Sequence, residues 1–302
     1  MLSPWFHGAG SYDGDSMQGC TTFHRQIAPK NEVSSATDKF NHAFAIPAYG
    51  QSPHLGECIE SILGQSMGAP NILLGTSTPS SYLEEVASRY GLTLHVNTRK
   101  SNIASDWNFV MKASDAHFLT IAHQDDLYDP EYLAAMVRLA KQYPDFVLAF
   151  SDYREHTSAG PRNETINLKI KRLLCERAFQ GSPFISSARE KRRLLCLGNP
   201  ICCPSVMLHR LAAPQFVFTE SLKSNLDWDA WLRLAEQPGD YLYCREKLLS
   251  KRVHPQSETS VTIASRVRQN EDRLMFERFW PMPVAMLLST VYSLGYIANK
   301  PS

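Results

Sequence analysis

The sequence predicts an α/β fold in which a mostly parallel sheet is flanked by helices and followed by a C-terminal helical extension. Two observations predict it. From residue 43 to 151, short apolar runs alternate with amphipathic segments of helical period. From about Val261 the pattern becomes helical again. Repeated strand–helix units of this length imply a parallel sheet with right-handed crossovers.

Ala43–Ile46 is the first apolar run. Ser52-Pro53 then offers an N-cap and a first-turn proline, and Leu55, Cys58, Ile59, Ile62 and Leu63 follow at helical spacing. Ile72-Leu73-Leu74 is the second run. Ser81-Tyr82-Leu83-Glu84 reads as a capping box opening a helix that Gly91 stops. Leu92–Val96 is a third strand, Asp106–Ala113 a helix, and His117–Ala122 a fourth strand. Asp129-Pro130-Glu131 opens a helix carrying Leu133, Met136, Val137 and Ala140, with Asp129 as its N-cap, and Phe146–Phe150 is the fifth strand. Beyond it, 156–167 reads as a surface loop and Lys169–Phe179 and Arg189–Leu197 as basic amphipathic stretches. Asn199–His209 reads as extended and partly buried, Asp229–Glu236 as helix and Tyr241–Cys244 as strand.

Composition bounds the rest. A chain of 302 residues makes one large domain or two small ones, and a net charge of +1 selects neither nucleic acid nor a membrane surface. Seven cysteines with no C-x-x-C spacing point to reduced thiols and a cytoplasmic protein. Residues 1–38 lack a sustained apolar run and are expected to form a mobile tail, not a signal peptide. Pro281–Ala298 is read as a helix packed on the domain, with peripheral membrane contact as the alternative.

In a parallel sheet, ligands bind beyond the carboxyl ends of the strands. The segments there are Pro47-Ala48-Tyr49, Thr76-Ser77-Thr78-Pro79 and His123-Gln124-Asp125-Asp126. Adjacent carboxylates repel unless neutralised, and hard oxygen ligands suit Mg2+ or Mn2+. The competing reading has Asp125 and Asp126 merely capping the turn into the next helix. With Asp129 taken as that cap, the pair is left for a cation.

These residues resemble those of family two glycosyltransferases, which have the GT-A fold, a Rossmann-like sheet. Ala45-Ile46-Pro47-Ala48-Tyr49, with the helix ending Ser61-Ile62-Leu63-Gly64-Gln65-Ser66, resembles the family's opening V-I-P-x-Y-N and S-[IV]-L-x-Q-[ST]. Phe118–Leu133 resembles its metal-binding region, and Asn199-Pro200 with Pro204-Ser205-Val206 its acceptor-side segment. Leu226–Ala235 resembles E-D-x-D-L-W-L-R-L-A, and Arg252-Val253-His254 resembles R-x-H. The resemblance spans about residues 42 to 260. It implies a GT-A domain over 39–260, with a nucleotide-sugar half (39–152), an acceptor half (153–260) and a helical segment over 261–302.

The resemblance also implies roles. The donor, a nucleotide-diphosphate sugar, would meet Pro47, Ala48, Tyr49, Thr76, Ser77, Asn102 and Asp125. Asp125, Asp126 and His254 would hold Mn2+ or Mg2+. Asp227 would be the general base of an inverting transfer to a saccharide or lipid-linked acceptor, in cell-surface polysaccharide synthesis. Asn199, Ser205, Trp228 and Trp231 would lie on the acceptor side, although both tryptophans also read as core. Asp227 also reads as a helix N-cap, and Asp229 as the i, i+4 partner of Arg233. The basic stretches read as solvated faces, or as the approach to an acceptor at the inner face of a membrane.

Two departures stand out. Gly75-Thr76-Ser77-Thr78-Pro79 lacks the acidic pair usual after the second strand, and His123 stands where the first acid of the metal motif often sits. Two rival functions follow. A non-catalytic nucleotide-sugar-binding protein is compatible with these departures. A nucleotidyltransferase would want a basic, Gly-rich loop after the first strand, where Pro47–Ser52 has no Lys or Arg.

Overall fold

A computed structural model describes residues 40–255, 257, 262–263 and 266–297. The tail expected over 1–38 lies outside them. The first half follows the predicted alternation: β1 (His42–Ala48), α1 (Leu55–Leu63), β2 (Asn71–Thr76), α2 (Ser81–Arg89), β3 (Leu94–Val96), α3 (Ile103–Ala113) and β4 (Phe118–Ile121). Then come β5 (Leu127–Tyr128), α4 (Tyr132–Gln142), β6 (Phe146–Thr157), β7 (Gly160–Arg162), α5 (Ile166–Phe179), β8 (Phe184–Ile185) and α6 (Ala188–Leu195). The chain continues through a 3-10 turn (Cys203–Ser205), β9 (Val206–His209), α7 (Leu226–Leu234), β10 (Asp240–Arg252), α8 (Val267–Glu277) and α9 (Met282–Ile297).

One mixed sheet runs β3-β2-β1-β4-β9-β6-β10-β5, with β7 on β6 and β8 on β10. The β3-β2-β1-β4 strands are parallel, as is the long β6–β10 pair. β9 lies antiparallel between β4 and β6 and joins the two blocks. Apolar side chains on both faces bury β1 completely from Ala43 to Ile46. Gly75 ends β2 under α3, where an added Cβ would come within 2.5 Å of Val110 Cγ1. Only glycine allows that approach.

Several boundaries differ from the sequence reading, for local reasons. Ser52-Pro53 forms the turn before α1, and His54 is the N-cap. Ser80, not Ser81, caps α2, accepting a hydrogen bond from Leu83 N. Asp129 is not the cap of α4. Its Oδ1 accepts from Glu131 N at 3.2 Å and its Oδ2 pairs with Arg154 at 3.0 Å. β6 and β10 run far past their apolar cores, and β7 replaces part of the expected loop. Their outer halves carry Arg154, Glu155, Lys247 and Lys251, charges that hide a strand from hydropathy. The sheet tolerates Arg154 and Glu155 because they are paired, Arg154 with Ser250 and Asp129, and Glu155 with Arg162 at 3.2 Å.

Candidate functional site

The loops beyond β1, β2 and β4 are stitched together. The Gln124 carboxamide accepts from Tyr49 N at 3.0 Å and donates to Tyr49 O at 3.1 Å. Gly50 N donates to Thr78 Oγ1 at 2.8 Å. β5 brings the far end of β10 alongside, since Leu127 pairs with Ser250 and Tyr128 with Leu249. Asp125-Asp126 thereby meets Arg252 and His254. Arg252 N donates to Asp126 Oδ1 at 2.7 Å, and Arg252 Nε donates to Asp125 O at 2.9 Å. Arg252 also pairs with Glu57 in the first turn of α1.

Ligand atoms of His123, Asp125 and Asp126 all lie within 4.8 Å of one another. The Asp126 side chain is 2% exposed. Burial and the neighbouring Asp125 charge push its carboxyl well above the usual range. Burial acts to raise Asp125 too, but the hydrogen bond with His254 helps bring its pKa below the usual carboxylate value. Burial lowers His123 to about 4, leaving a neutral imidazole at neutral pH. Asp126 Oδ2 and His123 Nε2 are buried without a hydrogen-bond partner among the described residues. Orphaned acceptors beside a second carboxylate fit a divalent cation, and an imidazole in the set favours Mn2+ over Mg2+. The ligand set differs from the expected one. His123 joins the two acids, while His254 hydrogen-bonds Asp125 Oδ2 at 2.9 Å and orients it.

The second station lies on α7. Asp227 sits in its first turn, and Asn225 is the N-cap. Asp227 Oδ1 accepts from Trp228 N at 2.8 Å, and Oδ2 accepts from Asn199 Nδ2 at 2.8 Å. Burial raises its pKa, against the opposing charges of Arg268, Lys171 and Lys251. Lys251 links the stations electrostatically, because its charge acts on Asp126 as well as Asp227. The Cys202 and Cys203 thiols feel both carboxylates in the same way. Both stations therefore lie within electrostatic reach of Lys251 on β10 and of the Cys202-Cys203 segment.

Other expected site residues fall into two groups. Pro47, Tyr49, Ser77, Asn102 and Asn199 lie along this edge. Asn102 spends its side-chain oxygen capping α3, accepting from Ser105 N at 2.8 Å. Ala48 and Thr76 are each 1% exposed. They support the donor-side loops from beneath and present no side chain to a ligand. Three residues expected on the acceptor side are buried. Ser205 is fully buried, with its hydroxyl donating to Cys202 O at 2.7 Å. Trp228 and Trp231 are 0% and 1% exposed. Three residues apart, they share the inner face of α7, where Trp228 Nε1 donates to Leu195 O. Asp229 pairs with Arg233 as expected, and also with Arg278.

Sequence reasoning missed several residues. Asp106, on α3, supplies a carboxylate to the loop after β2 that has none of its own. Its Oδ2 accepts from Ser77 Oγ at 2.8 Å, and its Oδ1 accepts from Asn97 Nδ2 at 3.0 Å. Lys171, Lys251 and Arg268 come from three elements distant in sequence, so no local motif announces them. A recess of about 1050 Å³ lies beside the start of β4 between α3 and the 209–220 segment. It contains none of these carboxylates.

Comparison with known proteins agrees with this arrangement. The family described as Glycosyl transferase family 2 matches residues 43–212. An uncharacterized glycosyltransferase, RP339, of Rickettsia prowazekii (strain Madrid E) is 21% identical over 232 residues, which cover 75% of this chain and 68% of that protein. Among solved structures, mannosyltransferase PcManGT from Pyrobaculum calidifontis, in complex with GDP-Man and Mn2+, superposes with a TM-score of 0.56 at 13% identity, covering 87% of this chain and 76% of that one. S. aureus TarS 1-349 in complex with UDP-GlcNAc gives a TM-score of 0.54 at 13% identity, covering 84% and 71%. At these identities the likeness establishes the GT-A fold.

Proposed function

The chain belongs to glycosyl transferase family 2, and on that footing we propose that it transfers a sugar, with inversion, from a nucleotide-diphosphate donor to a hydroxyl of a saccharide or lipid-linked acceptor. One observation carries the reading: ligand atoms of His123, Asp125 and Asp126 lie within 4.8 Å of one another, and the Lys251 charge acts on both Asp126 and Asp227.

The donor-side loops hold the nucleotide. Exposed Tyr49 is fixed through its backbone by Gln124, and Ser77 is fixed by Asp106, so both are organised before a ligand arrives. His123, Asp125 and Asp126 would hold the divalent cation, which when bound offsets charge on the diphosphate. His254 keeps Asp125 ionised and oriented for that task. Asp227 takes the proton from the attacking acceptor hydroxyl, an effect worth about 10²–10⁴-fold. Asn199 fixes its carboxylate by donating to Oδ2, which leaves Oδ1, already accepting from Trp228 N, with lone-pair capacity to spare. Burial raises the Asp227 pKa and so strengthens it as a base. Lys251 sits where it can offset negative charge between the stations. Synthesis of a cell-surface polysaccharide is the setting the resemblance implies.

A thermal-shift screen of UDP-, GDP- and other nucleotide sugars, with and without Mn2+, tests the reading. A ligand that binds only the native state raises the melting temperature. A donor-specific rise that requires Mn2+ supports it. No rise with any nucleotide sugar in the presence of Mn2+ removes the donor reading.

A further inference from the structure

Away from both stations, α5 and α9 expose large apolar side chains in register. On α5, Ile166, Ile170 and Leu173 are 68%, 50% and 66% exposed. On α9, Leu287, Val291 and Leu294 are 64%, 57% and 60% exposed. Within each trio the spacing of three and four residues places the side chains on one helix face. The two stripes are neighbours, because Asn167 Nδ2 donates to Gly295 O at 3.0 Å and fastens the first turn of α5 to the last turn of α9. A contiguous apolar patch on two helices marks an interaction surface, unlike single exposed leucines.

The opposite face of α9 is already used. Tyr292 packs on Trp228 with ring centroids 5.9 Å apart and on Phe276 at 5.7 Å. Gly198, at φ +134, makes room for that ring, since a Cβ there would lie 2.6 Å from Tyr292 Cε2. The outer residues of α9 are therefore not core side chains awaiting a neighbour from their own sheet. Helix α9 carries no charged residue from Met282 to Ile297.

The border of the patch is basic. Exposed Arg177 follows Leu173 by one helical turn, and exposed Lys169 flanks Ile170. Exposed Arg193 lies on α6, which packs against α5, and Cys196 at the end of α6 accepts through its carbonyl from Trp280 Nε1 at 2.7 Å just ahead of α9. The nearby acids are paired, Glu176 with Arg245 at 2.8 Å and Glu164 with Arg172 at 3.4 Å and with the rim residue Lys169 at 3.8 Å.

We propose that the α5–α9 face docks the protein onto the surface of a bilayer containing anionic phospholipid. Apolar side chains rimmed by arginine and lysine are what an interfacial helix needs. The 16 residues of α9 rise only about 24 Å, short of a hydrocarbon core of about 30 Å. Among the described residues, no helix is long and apolar enough to cross a membrane. A second copy of the chain fits less well, because a two-fold contact would set Lys169, Arg177 and Arg193 against their own mates. Through the Tyr292–Trp228 contact the docked helix packs against α7. The proposal does not depend on the donor chemistry.

The test is co-sedimentation of the full chain with phosphatidylcholine vesicles, with and without phosphatidylglycerol, at low and high salt. Binding is expected only when phosphatidylglycerol is present, and it weakens at high salt. Arg177→Gln and Arg193→Gln should each weaken it about fivefold. Leu287→Ser with Leu294→Ser should weaken it about tenfold or more. All four side chains are exposed, so unchanged melting temperatures are expected, and Ile170→Ser gives a second apolar probe on the other helix. Failure of the wild-type chain to bind, or equal binding by these variants, overturns the proposal. So does a solution dimer that Leu287→Ser dissociates, which would assign the face to a second copy.

Discussion

At the end of β4, two carboxylates lie side by side, share one imidazole and leave Asp126 Oδ2 without a hydrogen bond. On α7, a single carboxylate is held by Asn199 and by a backbone amide, with Arg268, Lys171 and Lys251 acting on it. On the proposed reading, the first station would be completed by a cation, while the second is balanced by the protein's own charges and would accept a proton. The difference lets carboxylates of the same chemical type be assigned two roles. Neighbours, not side-chain identity, set each role.

The largest effect that tests this contrast is chemical. Asp227→Asn keeps the size of the side chain and one of its two accepted hydrogen bonds but removes the base, so turnover should fall by about 10²–10⁴-fold. Donor affinity, read by calorimetry with Mn2+, should change little. Near wild-type turnover in this variant would remove the base assignment.

Next comes the cation. At about a hundredfold excess over its Kd, a bound ion stabilises the native state by about 2.7 kcal/mol, a rise of several degrees in Tm. Asp126→Asn should abolish that rise. The Asp126 carboxyl has a raised pKa in the folded state, so above that pKa the buried charge costs stability. Metal-free Asp126→Asn should therefore melt at or above the wild-type temperature at neutral pH. A lower metal-free Tm with an intact Mn2+ response would contradict the contrast.

A pH profile sharpens it further. Asp227 must be ionised to act, and burial raises its pKa. With cation saturating, kcat/KM should climb about tenfold per pH unit through a pKa above the ordinary carboxylate range and level off beyond it. The Lys251 charge opposes that rise, so Lys251→Gln should move the ascending limb to higher pH. A limb that stays in place would detach Lys251 from the α7 station.

The smallest expected effect concerns the loop after β2. Ser77→Ala removes the hydrogen bond to Asp106 and should raise the donor KM about fivefold, the worth of one hydrogen bond of about 1 kcal/mol. It should leave kcat unchanged. A large fall in kcat would mean that the loop takes part in chemistry as well as binding.

The first half of the fold was readable because β1, β2 and β4 centre on apolar runs separated by amphipathic helices. β6 and β10 were half hidden, since Arg154, Glu155, Lys247 and Lys251 look like surface residues until their partners are known. Asp125 and Asp126 were visible from position alone, at the end of an apolar strand. His123 drew notice as a departure, but its part in the cluster needed coordinates. Trp228 and Trp231 show the limit of pattern reading. Large aromatic residues beside a candidate base look the same whether they wall a pocket or fill a core, and only burial decides. Asp106, Lys171 and Arg268 carried no local signal, because Asp106 reaches the loop after β2, and Lys171 and Arg268 act on Asp227, from elements far away in sequence.

The most direct measurement is a crystal structure with Mn2+ and a nucleoside diphosphate, phased to show the anomalous signal of the ion. The account predicts one strong peak among His123, Asp125 and Asp126, with the terminal phosphate directed toward Asp227. A peak elsewhere, or a diphosphate lying on a surface that Asp227 does not face, would contradict it.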